Sequence, residues 1–172
     1  MLQTAVGQQL ARLDTGQLED DLAALAGVKA AQVNRRWPTG LAVTITPRYA
    51  AAAVAEDDHF VLLDAEAVAV ETVAAVPAGL PLVTMPLEGA GQRVLRNILG
   101  VAASLPPELA QRVTEIGAQT EDTVTFTLTN GITVLWGDAS EAGVKAAAVL
   151  LLEREPDVTS IDVTAAEYPV VR

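Results

Sequence analysis

The sequence predicts an α+β fold, in which a helix-helix-hairpin module is followed by a mainly antiparallel β domain with flanking helices. Two period-two segments, Leu41–Thr46 and Thr123–Trp136, are bracketed or broken by turn residues and read as half-buried strands. Two longer stretches, Arg93–Ser104 and Ser140–Arg154, show no such alternation, and Pro106 and Pro156 stop them as helices. Strands that follow one another without a regular helical crossover favour antiparallel pairing.

The elements follow in order. Thr4–Leu10 predicts a weak helix interrupted by Gly7. Asp14 or Thr15 caps a second helix, Glu19 is expected in its first turn, Leu18, Leu22 and Leu25 share one face, and Gly27 stops it. Val28–Arg36 reads as a strand, Trp37-Pro38-Thr39-Gly40 as a turn, and Leu41–Thr46 as the returning strand. A domain boundary is expected within Arg48–Ala55, where composition turns Ala-rich, giving domains over 1–48 and 49–172. His59–Leu63 reads as a strand that turns at Asp64–Ala67 into Val68–Val70, and Leu80–Val83 is extended. Val94, Ile98, Val101 and Leu105 form the inward stripe of a helix. Asn130-Gly131 predicts a type I′ hairpin turn between Val124–Leu128 and Ile132–Trp136. Ser140 is expected to cap a helix running through Val144, Ala148, Leu151 and Leu152. Val158–Val163 reads as the last strand and 164–172 as a polar tail.

Composition excludes several kinds of chemistry. Among 172 residues, 51% are hydrophobic, which suffices for one domain or two small ones. The absence of cysteine excludes thiolate metal sites, thiol catalysis and disulfides. A net charge of -11 opposes nucleic acid and anionic membrane surfaces as partners. The longest apolar run, Ala146–Leu152, is far shorter than the roughly 18 residues of a membrane span, and Met1–Thr4 has no leader character, so this chain is expected to be soluble.

The catalytic search returns little. Gly89-Ala90-Gly91 lacks the preceding strand and third glycine of a dinucleotide fingerprint and reads as a turn. His59 is the only histidine, and Glu56-Asp57-Asp58 reads as a solvated acidic loop without EF-hand spacing. Asp20-Asp21 lies on a polar helix face. Trp136 continues the apolar side of its hairpin and is expected in the core. No cofactor, metal or catalytic set is expected. What remains is a strand near the C-terminus, able to lie at a sheet edge and accept another chain's strand.

Several segments together resemble the FtsQ/DivIB family of bacterial cell-division proteins, in its actinobacterial form. Val28, Ala31, Val33, Arg35, Trp37 and Pro38 fill the run that closes the family's POTRA module. Leu62-Leu63-Asp64, Leu80-Pro81, Asn130-Gly131 with Val134 and Gly137, Lys145, and Ile161-Asp162-Val163 follow in the family's order. Pro47 and Tyr49 to Ala52 depart from the family's domain junction, and Ala67 stands where a turn glycine is common. The resemblance implies a non-catalytic, single-pass membrane scaffold of the divisome, extracytoplasmic and at the septum. It implies a POTRA module here lacking its first strand and the membrane helix before it. Its partners would be FtsB-like and FtsL-like coiled-coil proteins. They would be bound by the C-terminal edge strand and the preceding helix, through Ser160, Asp162, Thr164, Ala165, Glu167 and Tyr168. The alternative is a POTRA-containing module of outer-membrane assembly or secretion, which predicts tandem repeats that this sequence lacks.

Overall fold

The computed structural model describes residues 9–84, 91–118, 120 and 123–172. Most of the expected helix over Thr4–Leu10 and most of the Gly89-Ala90-Gly91 turn lie outside them; Gln9 and Leu10 are described and are not helical. The chain divides into two compact units, Met1–Tyr49 and Ala50–Arg172.

The first unit contains α1 (Thr15–Ala23), β1 (Val28–Arg36) and β2 (Gly40–Pro47). Asp14 is the N-cap, its carboxylate accepting from the Gln17 N–H at 3.1 Å. The helix ends sooner than expected, with Ala24 as its C-cap and Leu25 beyond it and exposed, so Gly27 does not stop it; at φ +80, a conformation that a Cβ would strain, Gly27 turns the chain into β1. β1 and β2 pair antiparallel as a two-stranded sheet across a cis Trp37-Pro38 bond. Leu13, Leu22 and Val33 form the small core. Glu19 corrects its expected place: it stands beyond the first turn and accepts from the Val33 N–H at 2.7 Å.

The second unit is built on a nine-stranded, mainly antiparallel sheet. Its strands are β3 (Ala52–Glu56), β4 (His59–Leu63), β5 (Ala69–Val73), β6 (Leu82–Val83), β7 (Val113–Ala118), β8 (Val124–Leu128), β9 (Thr133–Gly137), β10 (Ser160–Asp162) and β11 (Val170–Val171). Across the sheet they run β11-β10-β9-β8-β7-β6-β3-β4-β5. The helices are α2 (Gln92–Ser104), α3 (Pro107–Ala110) and α4 (Ala142–Leu152). Register places Val61, Val54, Val83, Ile116, Phe126, Val134, Ile161 and Val171 side by side in one row across eight strands. Ile98, Leu99 and Val101 of α2 and Val149 of α4 join this side in the buried core. Side-chain alternation then puts Glu115, Thr127, Thr133 and Ser160 on the opposite face, which accounts for the threonine-rich alternation of β8 and β9.

Several local expectations change. The β8–β9 turn has positive φ only at Gly131, so it is a three-residue loop ending in a left-handed glycine rather than type I′. Ser140 does not cap α4. The N-cap is Glu141 at φ 51, without a side-chain hydrogen bond, and the Ser140 hydroxyl donates to Asp138. Pro106-Pro107 stops α2 but also opens α3. The supposed polar tail contains β11.

Candidate functional site

The C-terminal margin of the nine-stranded sheet carries the predicted partner residues. β10 runs parallel to β9 and antiparallel to β11, so it is flanked on both sides. This corrects the expectation that the Val158–Val163 segment is itself the edge. The margin is β11, because the chain after Asp162 doubles back. The Asp162 carboxylate accepts from the Thr164 N–H at 3.0 Å and the Thr164 hydroxyl at 2.7 Å, and the Tyr168 N–H reaches the Ala165 carbonyl at 3.0 Å. These two turns return the chain alongside β10. The Ser160 N–H then donates to the Arg172 carbonyl, and the Arg172 N–H to the Ser160 carbonyl, both at 2.9 Å.

The predicted residues therefore take different places. Ser160 and Asp162 are half-buried within β10. Thr164 and Asp162 close the turn with each other. Ala165, Glu167 and Tyr168 are exposed on the return, with Tyr168 at 76%. Sequence reasoning missed Val170 and Val171, which form the margin and are 51% and 39% exposed. A β-branched doublet was the only signal, and two residues are too few to show a period. Val163, by contrast, is fully buried, and its N–H donates to the Leu135 carbonyl at 2.9 Å, so it belongs to the core.

The antiparallel pattern decides what β11 offers. Ser160 and Arg172 exchange hydrogen bonds, so Val171, one residue earlier, turns its N–H and C=O away from β10. The opposite margin, β5, differs. The register there shifts between Leu62 and Leu63, leaving Val70 as an extra residue, and Glu71 is exposed beside it. A bulge and a charge blunt an edge against added strands; β11 has no bulge, and its two valines stand between Pro169 and Arg172.

Behind this margin lies a buried polar cluster. Trp136 is fully buried at a bulge in β9, 5.4 Å from the Phe126 ring, and its indole N–H has no acceptor among the described residues. Lys145 of α4 is 1% exposed. Its ammonium donates to the Asp138 carboxylate at 3.0 Å and the Asp138 carbonyl at 3.1 Å, and lies 5.8 Å from the Trp136 ring centre. Asp138 also accepts from the Ser140 hydroxyl and N–H. The Ser140 hydroxyl, then the Lys145 ammonium, hold its carboxyl down at about 2.

In the first unit, Arg35 secures the outer side of β1. Its guanidinium donates to the Leu10 carbonyl at 3.0 Å and the Leu13 carbonyl at 2.5 Å. Val33 is buried, Val28 and Ala31 are half-buried, and Trp37 is 69% exposed beside Pro38. Elsewhere, His59 lies near Glu56 and Asp58, and no group of three His, Asp or Glu among the described residues could hold a metal. No helix among the described residues is long and apolar enough to cross a membrane.

The chain is a two-unit α+β protein. Residues 52–164 match the family "Cell division protein FtsQ/DivIB, C-terminal", and residues 1–48 match "POTRA domain, FtsQ-type". The chain belongs to the FtsQ/DivIB family of cell-division proteins. It is 30% identical over 175 residues to the cell division protein FtsQ of Streptomyces bingchenggensis, covering 96% of this chain and 66% of that protein. It is also 30% identical over 167 residues to FtsQ of Mycobacterium leprae, covering 97% of this chain and 48% of that protein. The major extracytoplasmic domain of DivIB from Geobacillus stearothermophilus aligns with 17% identity and a TM-score of 0.47, over 64% of this chain and 98% of that one.

Proposed function

We propose that this chain is an extracytoplasmic, non-catalytic scaffold of the divisome that binds an FtsB-type coiled-coil partner, itself paired with an FtsL-type protein. The partner adds an extended segment along β11. The observation that carries this reading is the contrast between the two sheet margins: β5 is bulged and carries Glu71 within the strand, whereas β11 has no bulge and presents exposed Val170 and Val171 between Pro169 and Arg172. Strand addition draws affinity from backbone hydrogen bonds and selectivity from alternate side chains. Val171 supplies the outward donor and acceptor, Tyr168 and Glu167 flank the incoming segment, and the exposed side of α4 extends the surface. In the first unit, β2 pairs only with β1 among the described residues, which fits a POTRA module completed by a further strand.

The test is Val171→Pro. It removes an outward N–H and leaves the bonds between β10 and β11 in place. The variant is expected to keep its melting temperature within a few degrees and to lose capture of the extracytoplasmic segment of an actinobacterial FtsB-type protein. Undiminished capture would sink the reading.

A further inference from the structure

The two-stranded sheet of the first unit has an outer edge on β1, and its own helix reaches that edge. Antiparallel strands turn successive N–H groups alternately toward and away from their partner. Val33 stands opposite Val43, yet its N–H donates to Glu19 rather than to β2. By the same alternation, Ala31 and Arg35 also point their backbone groups away from the pair. Pairing runs without interruption from Ala30 to Arg36, so no bulge protects this stretch. An edge of this kind is a template for another strand. Here its central donor is already taken. Glu19 lies half-buried on α1, three residues before the buried Leu22, and its Oε1 accepts from the Val33 N–H at 2.7 Å across 14 positions of sequence. Asp21, two residues on, serves its own helix instead, accepting from the Gln17 side-chain amide at 2.9 Å. Two positions further along β1, the Arg35 guanidinium ties the Leu10 and Leu13 carbonyls to the same strand.

We propose that Glu19 closes the outer edge of β1 against strand addition by a second copy of this chain. Its carboxylate oxygen occupies the place that a neighbouring strand's carbonyl would take. A charged acceptor makes the stronger bond of the two. An incoming strand would have to break that bond and leave a half-buried carboxylate short of a donor, which offsets the backbone bonds it gained. The second unit guards its β5 margin differently, with a bulge and a charge in the strand itself. In the first unit the guard comes from the helix, so β1 keeps its regular pairing with β2. A further strand of this module is thereby directed to β2; that step rests on the function proposed above, whereas the closure of β1 does not.

Glu19→Met keeps the length and helix-forming character of the side chain and removes the acceptor, whereas Glu19→Gln keeps an acceptor oxygen. Amide exchange of the full chain is expected to find Val33 protected in the parent although it faces away from β2. In Glu19→Met its exchange should rise about tenfold or more relative to Asn34, which bonds across to β2, and in Glu19→Gln less than about threefold. Sedimentation in about 0.5 M salt, which screens the net charge of -11, should show a concentration-dependent dimer for Glu19→Met alone, with the Val33 amide protected again at high concentration. An unprotected Val33 amide in the parent would overturn the proposal. Equal acceleration of Val33 and Asn34 in Glu19→Met would do the same, because the residue would then hold the hairpin together. So would a Glu19→Met chain that stays monomeric with its Val33 amide open, since some other feature would be keeping the edge free. The Val171→Pro capture experiment reads the second unit, so either result can fail alone.

Discussion

The guanidinium of Arg112 clasps the carboxylate of Glu153 through two parallel hydrogen bonds, tying the residue before β7 to the C-cap of α4 across 41 positions of sequence. Nη2 and Oε2 are 2.5 Å apart, the Glu153 side chain is 9% exposed, and the contact raises the Arg112 pKa further above its ordinary value. Glu153→Gln keeps the shape and removes the charge. It should cost about 1.5–3 kcal/mol in urea unfolding at neutral pH, since a hydrogen bond to a charged group is lost and the guanidinium is left short of an acceptor. A cost below the error of the titration would show the clasp to be idle.

Acid should release the Asp138 contact late. Its carboxyl ionises at about 2 in the folded chain, below the ordinary aspartate value of 3.8, chiefly because the Ser140 hydroxyl and then Lys145 donate to it. A depressed carboxyl contributes stability that is fully present above the unfolded value and is lost as pH falls through the folded one. With the side chain 56% exposed, solvent screening limits the contribution to about 1 kcal/mol. Comparing the parent chain with Asp138→Asn by denaturant unfolding, the difference should be present at pH 5 and should fall away as pH drops towards and below 2. A constant difference would contradict this linkage.

Ala67 takes φ +62 in the turn where the Asp64 carboxylate accepts from the N–H groups of Glu66 and Val68 at 2.9 and 2.8 Å. That region costs an alanine about 1–2 kcal/mol, whereas glycine enters it freely but loses about 0.4–1 kcal/mol more entropy on folding. Ala67 also packs partly against the core, which trims the gain. Ala67→Gly should be neutral to slightly stabilising, and Ala67→Val clearly destabilising, in thermal unfolding. The reverse order would mean that the methyl contact outweighs the backbone.

Position along the buried row should grade the damage. Ile161 is fully buried between β9 and β11, whereas its neighbour Val171 is 39% exposed. Ile161→Ala should cost about 2–5 kcal/mol and loosen the margin, as large-to-small changes in packed cores do. Val171→Ala should cost well under half as much in the same chemical unfolding assay. Equal costs would show that the row does not end in a semi-exposed position.

The elements that burial and backbone chemistry mark strongly were legible. Asp14, the alternation of β8 and β9, and the stripe of Ile98 and Val101 each carry one physical signal and appear where it points. β3 was missed because Ala52, Ala53 and Val54 are all buried, so no alternation shows. β7 was missed because Thr114 is an extra residue against β8 and breaks the period. α4 was found, but the burial of Lys145 within it was not, because the acceptors of that lysine lie outside the helix. The site was legible as a stretch of sequence, not as a margin: nothing around Asp162 and Thr164 announces that the chain folds back to lay Val170 and Val171 outside β10.

The two-residue length of β11 has a kinetic consequence. A ribbon held by so few bonds opens at a small fraction of the free energy needed to unfold the whole molecule. The amides of Val170 and Arg172 will therefore trade hydrogen for deuterium long before those of Ile161 or Val134, and the outermost seam of the sheet will spend part of its time detached. On the function proposed above, a partner would meet a surface that repeatedly comes apart and reseals, and would gain its hold by keeping that seam shut.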